Sequence, residues 1–390
     1  MAQPQIQSST LPPAQPAYVL RGHAAQVHAL HFFRKNSRLL SGDAEGWVIM
    51  WDIATKRAAA VWKAHDSAIL GLGSWGDERI ISHGRDNALK VWQIRRDDES
   101  TFSTGLPVGD SVTRRKEPWL LHSLPVNALN FCAFAMCSEQ EMKVGNEKEM
   151  RDRNETQSGS ILVAVPGLQE GFVNIIQLPS EERLHTVQVS NEEKGVMIMA
   201  LQFFYKNEML HLISGLESGK TSLQIFLNTK WKTLFRSATH SQPILSLGLM
   251  PDSSSYFTSG ADSIIGMHVI ESMSKAKTIQ TKHSGQQSLT VRSDGKIFAT
   301  AGWDSRIRVY STNTMKELAV LKWHKEGCYS VAFADIAGMD VAESATTTDS
   351  SCGSDMILRT VKQRREDKAR QTHWLAAGSK DGKVSLWDIY

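Results

Sequence analysis

The chain has 390 residues, of which 41% are hydrophobic and 22% charged, enough apolar material for a large core. A formal net charge of +3 is too small to mark a nucleic-acid surface, and four cysteines (Cys132, Cys137, Cys328, Cys352) without paired spacing indicate neither a disulfide framework nor a zinc module; a reducing compartment fits them best. No stretch is apolar for long enough to span a membrane as a helix, and the leading segment lacks the basic start and apolar run of a secretory signal.

Residues 1–17 are rich in Gln, Pro, Ser and Ala and are expected to be a disordered tail. From Tyr18 onward a unit of roughly forty residues recurs, the period of a propeller blade of four short strands. The first copy runs from Gly22-His23 through Leu39-Leu40-Ser41-Gly42 to Trp51-Asp52, and the second from Ala64-His65 through Ile80-Ile81-Ser82 to Val91-Trp92. Three weaker copies follow, visible through their third strands: Phe172 to Gln177, Leu223 to Phe226, and Ile264 to Val269. The sixth places His283 before Thr300, Asp304 and Tyr310, and the seventh places His324 before Gly378-Ser379-Lys380-Asp381 and Trp387-Asp388. Each unit shows β-branched or aromatic runs broken by Gly, Asp, Ser or Asn, which is strand and turn chemistry without helical periodicity. The fold class is therefore all-β, a seven-bladed propeller over residues 18–390.

Three polar insertions interrupt the period, at about 95–118, 138–159 and 338–372, and read as loops protruding from blades two, three and seven. The last carries Lys362, Arg364, Arg365, Lys368 and Arg370 around Glu366 and Asp367, where a short surface helix fits. The chain ends on a third-strand pattern, Val384 to Tyr390, with nothing left for a fourth. Tyr18-Val19-Leu20 are placed to supply it and so close the ring, leaving no unfinished edge blade.

Through Gly22-His23 with Trp51-Asp52, and the terminal Trp387-Asp388, the chain resembles the WD-repeat family over residues 18–390. That resemblance implies a buried hydrogen-bonded set of His, Ser or Thr, Asp and Trp in each regular blade. The matching residues are His65, Ser82, Asp86 and Trp92 in blade two, His283, Thr300, Asp304 and Tyr310 in blade six, and His240, Thr258, Asp262 and His268 in blade five. Blade one puts Glu45 where Asp is usual, blade seven puts Ala377 where Ser is usual, and blades three and four lack the set, so apolar packing is expected to hold them.

His65, Ser82 and Asp86 have the residue types of a hydrolase triad, but the same types recur in several blades whereas an enzyme needs one site, so no catalytic residue is assigned. Gly71-Leu72-Gly73-Ser74-Trp75-Gly76 has dinucleotide-loop spacing but leads into a strand and not a helix, so no nucleotide, metal or other cofactor is expected. Asn154-Glu155-Thr156 meets the glycosylation pattern without a secretory signal to support it, and Arg114-Arg115-Lys116 with Arg359 to Arg370 read first as solvated loop charge.

A rigid disc that presents loops on two faces suits binding more than turnover. The family resemblance places the residue before each tetrad Asp on the top face: here Arg85, Trp303 and Lys380, in blades two, six and seven, expected to form a protein-binding surface. Within WD-repeat proteins, four segments together (Tyr18 to His23, Leu39 to Gly46, Ile80 to Asn87, Trp374 to Lys383) are similar to the fungal ASTRA-associated family. That likeness implies a non-catalytic scaffold in a multi-subunit nuclear assembly, linked to chromatin remodelling and to maturation of phosphatidylinositol-3-kinase-related kinases. Its partners would be those proteins and their maturation factors, with no direct nucleic acid, membrane or small-molecule substrate. The alternative is a substrate receptor of a cullin-type ubiquitin ligase, for which only Trp92-Gln93-Ile94-Arg95 approaches the expected Trp-Asp-x-Arg.

Overall fold

The computed structural model describes residues 14–108, 116–127, 131–139, 159–190, 195–272, 275–336 and 360–389. Among these, twenty-eight strands pair antiparallel into seven four-stranded sheets. A short leading strand, β1 (Tyr18–Arg21), precedes blade one, which is β2 (Val27–Phe33), β3 (Arg38–Asp43), β4 (Trp47–Asp52) and β5 (Arg57–Lys63). Blade two is β6 (Ile69–Trp75), β7 (Arg79–Gly84), β8 (Ala88–Gln93) and β9 (Trp119–Pro125); blade three is β10 (Ala135–Ser138), β11 (Ile161–Pro166), β12 (Phe172–Leu178) and β13 (Arg183–Gln188). Blade four is β14 (Ile198–Lys206), β15 (Met209–Leu216), β16 (Lys220–Leu227) and β17 (Lys230–Ala238), and blade five is β18 (Ile244–Leu249), β19 (Ser255–Gly260), β20 (Ile264–Val269) and β21 (Lys277–Gln280). Blade six is β22 (Gln286–Val291), β23 (Ile297–Gly302), β24 (Arg306–Ser311) and β25 (Glu317–Lys322), and the last blade contributes β26 (Cys328–Phe333), β27 (Trp374–Ser379) and β28 (Lys383–Asp388).

The seventh sheet is completed by β1, with Tyr18 opposite Leu386, Val19 opposite Ser385, Leu20 opposite Val384 and Arg21 opposite Lys383. This is the closure expected from the sequence. Its energetic basis is visible in the apolar packing, which divides into seven clusters, one in each seam between neighbouring blades. The seam between blades seven and one is as well filled as the others, with Leu20, Val384, Leu386 and Trp374 packed against Val27, Ile49 and Trp51. Leu20 is 1% exposed, so β1 contributes apolar burial as well as backbone bonds, on the order of 2 kcal/mol for that one side chain.

The described residues of the first insertion, 95–108 and 116–118, do not protrude, contrary to the sequence expectation. Its described part folds back over blade one: a single 3-10 turn at Glu99–Thr101 brings the Glu99 carboxylate to Arg34 and Arg38, Phe102 is buried, and the Val61 amide donates to Ser103 O at 2.8 Å. The outer edge of blade one is covered in this way, which protects it from pairing with other chains. The third insertion contains the expected helix, α1 (Val361–Gln371), begun by a capping box between Thr360 and Gln363. Both insertions are gripped by one turn of blade one, where Arg34, Lys35 and Asn36 all take left-handed backbone angles (φ 53, 50 and 62). Side-chain bonds at its two ends hold this strained turn. Arg34 donates to Glu99, Ile94 O and Asp77 O, while Asn36 Nδ2 donates to Asp335 O at 2.6 Å and to Arg370 O at 3.3 Å. The expected tail, apart from residues 14–17, and most of the insertions at 138–159 and 338–372 lie outside the described residues, as do Asn154, Arg114, Arg115 and Cys352.

Candidate protein-binding face

In blade two, His65 Nδ1 lies 2.8 Å from Asp86, its Nε2 lies 2.8 Å from Ser82 Oγ, and Trp92 Nε1 donates to the same oxygen at 2.8 Å. The donors and acceptors balance only for a neutral imidazole: Trp92 N–H to Ser82, Ser82 O–H to His65 Nε2, and His65 Nδ1–H to Asp86. Burial lowers the His65 pKa and so favours that form. For Asp86, desolvation opposes ionisation but is outweighed by the Asp66 amide and His65, and its pKa falls. Ser82 is wholly buried with its proton committed to His65, so it meets no substrate, and the set closes the blade without acting as a nucleophile.

Comparable sets stand in three other blades, two of them built from residues the sequence did not single out. Blade five uses His240, Asp262 and Thr258, both contacts at 2.8 Å, with His268 at 3.4 Å from Thr258. In blade one Glu45 is not the acid: Asp43 is, at 2.8 Å from His23, with Ser41 and Trp51 completing the chain. Asp43 occupies the strand position held in blade two by Gly84, where a Cβ would stand 2.4 Å from the His65 ring. In blade seven the hydroxyl missing at Ala377 is supplied by Ser385 directly across the ladder, 2.8 Å from His324 and 2.9 Å from Trp387 Nε1. Blade six departs from the expected set. His283 lies at the surface, 3.6 Å from Asp304, which is engaged instead by Arg308, and Thr300 donates to the buried Gln286 at 2.7 Å. The register explains this: His283 stands three residues before the first paired residue of its blade, Gln286, whereas His23, His65, His240 and His324 each stand four before theirs, so the imidazole falls one position away from the set.

The three expected top-face residues sit in the turns after β7, β23 and β27, and each is exposed. Lys380 N donates to Gly327 O at 2.9 Å, and Gly327 packs against the Trp303 backbone, so Trp303 and Lys380 flank one glycine. Trp303 is 47% exposed and is fixed by a 2.8 Å bond from its Nε1 to Gln287 Oε1. Arg85 lies on the exposed Phe131 ring, its Cζ 4.4 Å from the centroid. All three turns join the second strand of a blade to its third, so the three residues lie on the same face of the ring.

His28, Gln287 and Tyr329 were not legible as surface residues. Each is the second residue of a first strand and is skipped in the pairing with the second strand. The same bulge recurs with Leu70, Met199 and Leu245. A bulge re-aims one side chain, and because first strands contact one another around the ring, these half-buried residues line the inner rim of the top face. The rim is divided: polar or aromatic in blades six, seven and one, apolar in blades two, four and five. Recurrence at one-blade intervals was the signal that could have found them.

Gly71 and Gly73 lie within β6 against Ala133 and Phe134, as a strand requires. Burial pushes the Cys132 and Cys328 thiols well above their ordinary range and the Cys137 thiol up to about 12, as expected of small packed hydrophobes. Among the described residues no group of His, Cys, Asp or Glu has metal-site geometry.

Compared with known proteins, the chain matches the family "WD domain, G-beta repeat" at residues 14–52, 275–311 and 369–388, which span β1 to β4, β21 to β24, and β27 with β28. It is 44% identical to ASTRA-associated protein 1 of Aspergillus flavus over 97% of this chain and 98% of that one, and 44% identical to the protein of the same name in Verticillium alfalfae over 99% and 96%. The Schizosaccharomyces pombe protein of that name is 30% identical over 96% of this chain and 99% of its own length.

Proposed function

Because the chain belongs to the ASTRA-associated protein 1 family of WD-repeat propellers, we propose that it is a non-catalytic scaffold subunit of an ASTRA-type assembly in the nucleus. In that role it holds kinase-related proteins and their maturation factors, and chromatin-remodelling subunits, in fixed relative positions. The observation that carries this reading is full-length similarity to proteins bearing that name, joined to a rigid disc whose top face exposes Arg85, Trp303 and Lys380 on one surface. Tryptophan and arginine are the side chains that most often dominate binding energy at protein interfaces. Trp303 and Arg85 are each already fixed by a neighbour, so they lose little freedom on contact.

The test is purification of the tagged chain from its own cells followed by mass spectrometry. Large kinase-related proteins and their maturation partners are expected with the parent chain. Arg85→Ala, Trp303→Ala and Lys380→Ala together should lower their recovery about tenfold or more while thermal unfolding stays near the parent's. Purification without those proteins would overturn the assembly assignment; undiminished recovery by the triple variant would remove this face from it.

A further inference from the structure

The two strands that flank the closing seam are treated differently. The outer edge of blade one is covered by the first insertion, through the Val61 amide and Ser103. The outer edge of blade seven is β1 itself, the last strand of its sheet. Beside it lies a trough of about 620 Å³, with all four β1 residues along one wall. Trp51, Ala58 and Leu106 form much of the opposite side, and three cations, Arg21, Lys56 and Arg57, stand around it. No carboxylate among the described residues lines it. Arg21, Arg57 and Tyr18 are exposed.

A free strand edge offers unpaired backbone donors and acceptors in register, and an apolar floor accepts alternate side chains of an added strand. Cations without acids select what is added. We infer that this trough takes an extended acidic segment of a partner protein, which joins the seventh sheet as a fifth strand on β1. Residues 1–13 contain no Asp or Glu to answer the three cations, so the acidic segment is assigned to a partner.

Lys56 lines the trough and would feel an anion bound there. Its ammonium sits 4.1 Å above the Trp374 ring centroid, and burial holds its pKa down to about 8; Asp52 opposes this and the neighbouring Lys368 adds to it. A carboxylate arriving in the trough offsets the desolvation and the like charge by its own attraction, so binding should raise the Lys56 pKa. Strand addition here would also fasten the ring, since the partner would pair with the one short strand that joins the two ends of the chain.

The probe is a fluorescein-labelled hexapeptide alternating glutamate with valine, tested by anisotropy on the full chain against a lysine–valine counterpart and an N-methylated copy. The acidic peptide should bind about tenfold more tightly than either. Reversing charge with Arg21→Glu and Arg57→Glu, both exposed, should abolish that preference with unfolding unchanged. At pH 8 the peptide should slow acylation of Lys56 about fivefold, as a rise of one pKa unit requires. Equal binding of the acidic and basic peptides, an unaffected N-methylated copy, or binding that emerges only after residues 1–13 are deleted would each overturn the inference. None of these outcomes depends on the top face, whose test is the recovery of assembly partners.

Discussion

In blade two, four polar side chains tie the loop that enters the blade to its second and third strands. At the corresponding place in blade three stands Asn127, which donates to Gly167 O at 2.6 Å, and below it the packing is apolar. Blade four goes further. Ser214 occupies the strand position of Ser82, buried, with no histidine to receive its proton and no hydrogen-bond partner for its oxygen. In its place the seam between blades three and four holds Val173, Ile175, Ile198, Leu201, Phe203 and Leu212 in one cluster. The same blade geometry is thus reached by directional polar bonds in one part of the ring and by shape-filling hydrocarbon in another. Polar sets specify one geometry and are costly when incomplete; apolar seams tolerate change of sequence provided volume is kept.

The largest expected effect comes from breaking a polar set where no water can compensate. The Asp43 side chain is fully buried and accepts from His23 and from the amides of Glu45 and Trp47. Asp43→Ala strands all three donors and should cost about 3–5 kcal/mol. Asp86 has the same role but its side chain is 16% exposed, so Asp86→Ala should cost about 1–3 kcal/mol, because solvent can reach the histidine it leaves. Denaturant midpoints of the two variants decide the matter: equal losses would mean that burial does not set the strength of these sets.

Acid should next distinguish the two kinds of blade. Burial lowers the pKa of His31 to about 4 and of His83 and His268 to about 3. These imidazoles stay neutral in the fold, while in the unfolded chain they take up protons below about pH 6.5. The unfolded state therefore binds more protons as pH falls from there toward 4, and stability must decline over that window, by up to about 1.4 kcal/mol per pH unit for each group. All three lie in blades one, two and five, which carry polar sets. Hydrogen exchange at pH 5 should accordingly open these blades before blade three, whose one histidine, His185, is only half-buried. Earlier opening of blade three would show that the apolar blades limit the ring.

Much of this was legible in the sequence, because blade period, strand composition and the missing last strand are properties of spacing. The polar sets of blades two and five follow from the same spacing. What spacing could not give was which side chain reaches a given point. Asp43 serves as the acid of blade one because it stands two residues nearer the ladder than Glu45, and Ser385 replaces a hydroxyl at Ala377 because the two face each other across β27 and β28. His283 has the spacing of His65 to the later residues of the set, but it stands three residues before its first strand's first pair where the other histidines stand four, which spacing to Thr300 and Tyr310 alone does not reveal. The first insertion looked like a free loop since its anchors, Arg34 and Arg38, lie some sixty residues earlier. The rim residues were hidden because a bulge changes a side chain's direction without leaving a mark in composition.

The smallest expected effect is also the sharpest contrast between the regions, since it uses one substitution at two equivalent places. Ser82→Ala removes the atom that joins His65 to Trp92, leaves His65 Nε2 and Trp92 Nε1 without partners while the His65–Asp86 contact remains, and should cost about 1–3 kcal/mol. Ser214→Ala removes an oxygen that has no partner to lose. Its burial was already unfavourable, so the variant should be neutral or more stable by up to about 1 kcal/mol. Thermal and denaturant unfolding of the two variants should move in opposite directions or, at the least, by clearly different amounts. If Ser214→Ala proved as damaging as Ser82→Ala, blade four would have to contain a polar network of its own, and apolar packing would not suffice to hold that side of the ring.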